Sequence, residues 1–316
     1  MRPHSIDYAE NIICIDTEQY RPGLAACYLV RGGDQYAFVD CGTSLSVPGI
    51  LRVLEHRGIA REQVAYVMPT HVHLDHAGGS GLLMRECPNA TLLIHPRGAK
   101  HMTDPAALIA GAAGVYGEAN MARLYGEILP VAASRVIVVE DEFVLDFNGR
   151  VLRFIDAPGH ARHHYAIWDA QSRGWFTGDT FGISYRDLDG PNGPYLFPTT
   201  TPVQFEPDAW FATLERFMAT DPESMYLTHY GRVGNVAELA ADLRGGIAMY
   251  QSIALHLADA PDRHTRIRAA LSLQAEEELV AMGCPLSEER IRELLAFDME
   301  LNAQGLGVWL ARQQQK

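Results

Sequence analysis

The stretch His71-Val-His-Leu-Asp-His76 gathers three imidazoles and a carboxylate: His71, His73, Asp75 and His76. Imidazole suits zinc and iron, and carboxylate suits harder cations, so the mixture fits a first-row metal. In an extended turn, side chains two apart point the same way. His71 and His73 can therefore converge on one ion, and Asp75 and His76, shifted in phase, can reach a second. The stretch cannot complete two sites alone, so further ligands must come from elsewhere in the chain.

The flanking elements explain how these residues are held. Val64-Ala-Tyr-Val-Met68 is an apolar run that reads as a buried strand. Ala77-Gly-Gly-Ser80 follows the motif and leads into Leu82–Cys87, which reads as a short helix. The candidate ligands thus lie on the turn between a strand end and a helix start. Three more segments repeat this design: Phe154-Ile-Asp-Ala-Pro-Gly-His160, Gly174-Trp-Phe-Thr-Gly-Asp179 and Met225-Tyr-Leu-Thr-His229. Each is an apolar strand that presents one ligand-type residue at the edge of a sheet.

Together these segments resemble the metallo-β-lactamase superfamily, in the hydrolase branch that includes glyoxalase II. The resemblance spans roughly residues 10 to 235. It implies an α/β fold, a four-layer αββα sandwich. It also implies that His71, His73 and His160 hold one metal, that Asp75, His76 and His229 hold another, and that Asp179 bridges both. Asp75 and Asp179 are then the catalytic carboxylates, with Asp75 orienting the attacking hydroxide. The implied cofactors are two divalent ions, zinc first, with iron or manganese as alternatives. Asp40, at the end of the strand read over Gln35–Gly42, falls where the family pattern has a carboxylate under the metal loop. Such outer partners fix imidazole orientation, and losing one typically costs about 10–100-fold in metal affinity or activity. His164 is placed by the same pattern as a supporting residue, and His163 is expected to face solvent.

Composition narrows the substrate. Lys plus Arg number 26 against 39 Asp plus Glu, a net charge of −13. An acidic surface repels phosphate backbones, so a small-molecule substrate is expected rather than nucleic acid. The five cysteines lack paired spacing and imply no disulfide framework. Residues 1–20 carry no basic region followed by an apolar stretch, and no run approaches membrane-spanning length, so a cytoplasmic protein without membrane contact is expected.

The rest of the chain reads as scaffold and cleft. Strands are expected over 11–15, 25–30, 90–95, 136–139, 143–147 and 151–155, with Asn148-Gly149 as a hairpin turn. A helix is expected over 47–57, and a helical insertion over 103–133 could wall the cleft. Residues 181–207 form a long loop rich in Gly, Pro and aromatics, a length that is usually functional. Phe181, Tyr185, Tyr195 and Phe197 are candidates for substrate contact there, equally accountable as packing; Tyr230 is a further candidate oxyanion donor. After a helix over 208–218, residues 235–316 carry only helical stripes. The expected organisation is a catalytic domain at 1–234 and a helical C-terminal extension at 235–316, the latter covering the cleft or forming a homodimer contact. The function expected is a metal-dependent hydrolase of a small ester or thioester, with a lactone or amide also admissible. The rivals are an iron-dependent persulfide dioxygenase or other redox member of the fold, and a metal-bound regulatory protein.

Overall fold

The computed structural model describes residues 4–200 and 203–315; positions 201 and 202, within the expected loop, lie outside the described residues. The chain divides into two compact units. The first comprises Met1–Asp156, His163–Gly178 and Pro222–Arg232; the second comprises Ala157–Arg162, Asp179–Asp221 and Val233–Lys316.

Two sheets build the first unit. One runs in the order β1 (Ser5–Tyr8), β2 (Ile12–Asp16), β3 (Ala26–Gly32), β4 (Gln35–Val39), β5 (Val64–Met68), β6 (Thr91–Ile94) and β7 (Val136–Val138). The other runs from β8 (Val144–Phe147) through β9 (Arg150–Asp156), β10 (Tyr165–Asp169), β11 (Gly174–Gly178) and β12 (Ser224–Leu227) to β13 (Gly231–Val233), whose last residue belongs to the second unit. Tyr28, Val30 and Met68 from the first sheet meet Phe154, Tyr165, Phe176 and Tyr226 from the second in one core. The opposite face of the first sheet carries Cys27, Leu29, Phe38 and Val67. These pack against Ile50 and Leu54 of α1 (Val47–His56) and Leu83 and Met84 of α3 (Ser80–Glu86). Both faces of β3 and β4 are thus buried, which is why these strands read as continuous apolar runs rather than as alternation. Asn148 and Gly149 both have positive φ, 52° and 85°, as the tight turn joining β8 to β9 requires.

Strand direction sets where the candidate ligands emerge. β4 and β5 are parallel, so Asp40 and the His71–His76 stretch leave the first sheet at one end. In the second sheet β10 is antiparallel to both β9 and β11, and β11 is parallel to β12. β9, β11 and β12 therefore share a direction, and residues 160, 179 and 229 follow their carboxyl ends. Between β6 and β7 the expected helical insertion forms α4 (Ala99–Thr103), α5 (Ala106–Tyr116) and α6 (Glu118–Tyr125).

The second unit is helical: α7 (Pro207–Met218), α8 (Val236–His256), α9 (Arg263–Ala281) and α10 (Glu288–Gln313). Leu243, Ile247 and Tyr250 of α8, Ile267, Leu271 and Leu279 of α9, and Ile291, Leu295 and Leu306 of α10 are buried at helical spacing. Fully burying such a side chain stabilises by roughly 1.5–3 kcal/mol each. Ser287 caps α10 by accepting from the Arg290 N–H, a contact worth about 1 kcal/mol. No helix among the described residues is long and apolar enough to cross a membrane.

The fold departs from the sequence reading in three strands. β1, β10 and β13 were not expected. β1 and β13 are short, at four and three residues. β10 follows directly on a run of histidines that hides its start, although Tyr-Ala-Ile-Trp-Asp is largely buried. Its last residue, Asp169, is fully buried and holds Arg150 through Nε at 3.0 Å and Nη2 at 2.5 Å.

Candidate metal centre

In the first unit the side chains of the His71–His76 stretch turn inward. His71 and His76 are fully buried. His71 Nε2 and His73 Nδ1 approach to 2.8 Å, so the two imidazoles converge. The last part of the motif forms α2 (Leu74–Ala77), a single turn. It directs Asp75 and His76 toward His229: Asp75 Oδ2 lies 3.7 Å from His76 Nε2 and 3.4 Å from His229 Nε2. Ligand atoms of these three residues all fall within 4.8 Å of one another.

Each imidazole is held through its other nitrogen. His76 Nδ1 lies 2.9 Å from Asp40 Oδ2, and His229 Nδ1 lies 2.8 Å from the Leu24 carbonyl. An N–H donated on that side leaves Nε2 as the lone-pair nitrogen, the tautomer a metal requires. Asp40 is itself fully buried and accepts from the Thr70 N–H at 2.7 Å, the Thr70 hydroxyl at 3.0 Å and the Thr228 hydroxyl at 2.6 Å. It ties the end of β4, the start of the motif and the end of β12 to one carboxylate. Gly79, behind the motif, donates to the Gly42 carbonyl; a Cβ there would stand 2.8 Å from the Thr43 carbonyl oxygen and 2.9 Å from that of Cys41. Gly79 therefore serves close approach to the 41–43 segment, whereas a Cβ on Gly78 would stand 2.3 Å from the Leu74 carbonyl oxygen within the same turn. Cys41 beside them is fully buried, 3.3 Å from the Ser80 hydroxyl, and burial pushes its thiol up to about 12.

In the second unit, His160 follows the same rule. Its Nδ1 lies 2.9 Å from the Thr199 carbonyl, and its Nε2 lies 3.5 Å from Asp179 Oδ2. Gly159 has φ +138°, and a Cβ on it would sit 2.5 Å from the Trp210 side chain, so α7 fixes the approach to His160. Trp210 in turn donates its indole N–H to the Thr180 carbonyl at 2.7 Å, one residue past Asp179.

The donor set fits divalent metal ions. Imidazole nitrogens and carboxylate oxygens cluster, and three of the imidazoles are pinned on the far side by a carboxylate or a carbonyl. His71, His73, Asp75, His76 and His229 are brought together within the first unit, and His160 with Asp179 within the second.

Other candidates take different positions. His163 does not face solvent: it is 9% exposed, stacked on His71 with ring centroids 6.1 Å apart and edge-on to His73 at 5.3 Å. The turn before β10 swings it inward, and sequence spacing does not encode that sense. His164 is fully buried and stacks on His71 at 4.7 Å. Gly178 makes room for it, since a Cβ there would lie 2.5 Å from His164 Nε2 and from the Thr70 hydroxyl. Phe181, Tyr185, Tyr195 and Phe197 are all buried in the second unit. Tyr185 donates to Asp298 of α10 and Tyr195 to Glu278 of α9, both at 2.9 Å, and both rings lie against Phe197. Packing on the helices accounts for these contacts. Tyr230 lies in the core between the two sheets, and burial pushes its phenol up.

The sequence reading missed Thr70, Thr228 and the Leu24 carbonyl. The signal for the first two was present: Thr-His occurs at both 70–71 and 228–229. It also missed that Leu74, inside the motif, packs with Met121 and Tyr125 of α6. The insertion helices thus sit directly on the metal loop.

Comparison with known proteins agrees with this architecture. The chain is 26% identical over 216 residues to the metallo-beta-lactamase fold-containing protein ST1585 of Sulfurisphaera tokodaii, covering 67% of this chain and 75% of that protein. The crystal structure of ST1585 superposes with a TM-score of 0.63 at 22% identity, covering 96% of this chain and 97% of that one. The human acyl-coenzyme A thioesterase MBLAC2 is 26% identical over 188 residues, 54% of this chain and 63% of that protein. The hydroxyacylglutathione hydrolase of a Synechococcus species is 26% identical over 154 residues, 48% of this chain and 47% of that enzyme. The chain therefore matches less than two thirds of the length of these last two. A family model for the metallo-beta-lactamase superfamily matches residues 20–229, a span that takes in every candidate ligand described above. The chain belongs to the metallo-beta-lactamase superfamily.

Proposed function

We propose that this protein is a dinuclear metal-dependent hydrolase acting on a small ester or thioester. The observation that carries the reading is the Asp75–His76–His229 cluster with each imidazole pinned through its far nitrogen. That arrangement supports a metal-binding role for these side chains. Similarity to a thioesterase and a hydroxyacylglutathione hydrolase supports hydrolysis of an acyl group.

In this reading His71, His73 and His160 would hold one divalent ion, Asp75, His76 and His229 would hold the other, and Asp179 would serve both. When bound, such ions lower the pKa of water toward about 7 and polarise a carbonyl. The chain's own residues supply position. Asp40 keeps His76 in the metal-binding tautomer, and the Leu24 carbonyl does the same for His229. Asp75, with its side chain 29% exposed, can orient the attacking oxygen and accept its proton. Zinc is the first candidate, then iron or manganese. The net charge of −13 supports a small molecule over a nucleic acid.

The test is anaerobic turnover of a panel of esters and thioesters by metal-loaded protein. Cleavage at ordinary rates without oxygen is expected. Asp179→Ala should reduce turnover severely and Cys41→Ala should not. No cleavage of any member, together with oxygen uptake on a persulfide, would replace this reading with the dioxygenase one.

A further inference from the structure

In the second unit, α9 turns one face inward and the other to solvent. Ile267, Leu271, Ala275 and Leu279 are buried on the inner side. Arg266, Ala269, Leu273, Glu277 and Val280 recur at intervals of three or four residues, so they share the outer face. All five are exposed, Leu273 by 57% and Val280 by 56%. A single exposed apolar residue is ordinary on a protein surface. Here two of them share one line with an arginine and a glutamate, over about 21 Å of helix at a rise of about 1.5 Å per residue.

The charges on α9 run against its dipole. Arg263, His264, Arg266 and Arg268 occupy the N-terminal end, where a helix favours anions, and Glu276, Glu277 and Glu278 occupy the C-terminal end, where it favours cations. The first turn carries no acid and the last turn no base. α10 answers part of this. Glu300 lies 3.0 Å from His264 and 3.2 Å from Arg268, and Arg292 lies 3.6 Å from Glu276. Glu278 accepts from Tyr195 and from Gln274, and Arg263 donates to the Ala258 carbonyl. Arg266 and Glu277, both on the outer face, have no ion-pair partner among the described residues.

A second copy of the same helix supplies what is missing. Set antiparallel about a twofold axis between Leu271 and Ser272, Arg266 of each copy meets Glu277 of the other. Leu273 then falls over the small Ala269 and Ala270, Val280 lies along the stem of Arg263, and Asp262 falls opposite the uncharged Ala281. Each contact is made twice, as an isologous interface requires. We propose that the outer face of α9 is a self-complementary dimerisation surface, occupied by the antiparallel α9 of a second copy of this chain. The net charge of −13 opposes association at long range. The Debye length at physiological salt is about 8 Å, so the touching pairs outweigh distant charges. One helix pair falls in the small class of specific interfaces, below roughly 1,200 Å², and the dimer is accordingly reversible, with a dissociation constant in the micromolar range.

Sedimentation equilibrium of the full chain across a dilution series tests this. The wild type should show a monomer–dimer equilibrium that weakens as salt is raised. Arg266→Glu or Glu277→Arg puts like charges into both symmetric pairs and should weaken the dimer by about tenfold or more. Mixing these two variants should restore dimers, because one copy then carries acids at both positions and the other carries bases. Leu273→Asp should leave a monomer that mixing with either charge variant does not rescue. The substituted side chains are exposed, so the fold is kept, and a thermal melt verifies it. A wild type that stays monomeric at every concentration would overturn the proposal. A dimer untouched by either charge reversal, or single variants that fail to recover on mixing, would overturn it equally.

Discussion

Asp40→Asn separates the role of one carboxylate from the fold around it. Asp40 Oδ1 accepts from the Thr70 N–H and hydroxyl, and Oδ2 accepts from His76 Nδ1 and the Thr228 hydroxyl. In asparagine the oxygen can keep the Thr70 pair. The amide nitrogen then faces His76 Nδ1, donor against donor. His76 relieves this by moving its proton to Nε2, the nitrogen that lies near Asp75 and His229. A protonated Nε2 cannot ligate. The affinity of the Asp75–His76–His229 site should fall about 10–100-fold, or roughly 1.4–2.8 kcal/mol. The first site, which holds no ligand bonded to Asp40, should keep its affinity. Asp40→Ala is less informative, because stranding several buried donors at about 1–3 kcal/mol each approaches the whole stability of a domain, about 5–15 kcal/mol. The assay is chelator competition with zinc, read as two separate dissociation constants, alongside urea denaturation of the metal-free protein. Two unchanged constants in a folded Asp40→Asn protein would refute the argument that Asp40 sets the His76 tautomer.

Two further outcomes follow from burial and packing. Gly159→Ala places a Cβ 2.5 Å from Trp210 at φ +138°; it should destabilise by about 1–3 kcal/mol, measured as a lower urea midpoint, and an unchanged midpoint would contradict the packing described. Burial pushes the Cys14 and Cys41 thiols up to about 12 from an ordinary 9.0. The folded chain keeps these protons where the unfolded chain releases them, so their stabilisation is whole below pH 9 and is lost as pH rises toward 12. Cys14→Ala with Cys41→Ala should therefore flatten the fall in denaturation midpoint above pH 9, and an unaltered slope would count against it.

Much of this arrangement is legible in the amino-acid sequence, for an identifiable reason. A ligand that follows a buried strand leaves two coincident signals, an apolar run and a polar residue at its end, and His71, His160, Asp179 and His229 all carry both. α1 was visible from Val47, Ile50, Leu51 and Leu54 at helical spacing, three of which are fully buried. What stayed hidden lacks such coincidence. The inward turn of His163 depends on backbone sense in a short loop. The Leu24 and Thr199 carbonyls hold imidazoles through main-chain atoms, which any residue would supply. The tyrosines of residues 181–197 look alike in sequence whether they meet a substrate or, as found, the carboxylates Glu278 and Asp298.

The metal content of the purified protein tests the dinuclear centre most directly. Metal-free chain is loaded with excess zinc, iron or manganese, freed of unbound ion and analysed by elemental mass spectrometry against protein concentration. Two ions per chain are expected in the wild type. His76→Ala and His229→Ala should each leave close to one. Saturation at one ion in the wild type, unmoved by either substitution, would contradict the dinuclear centre.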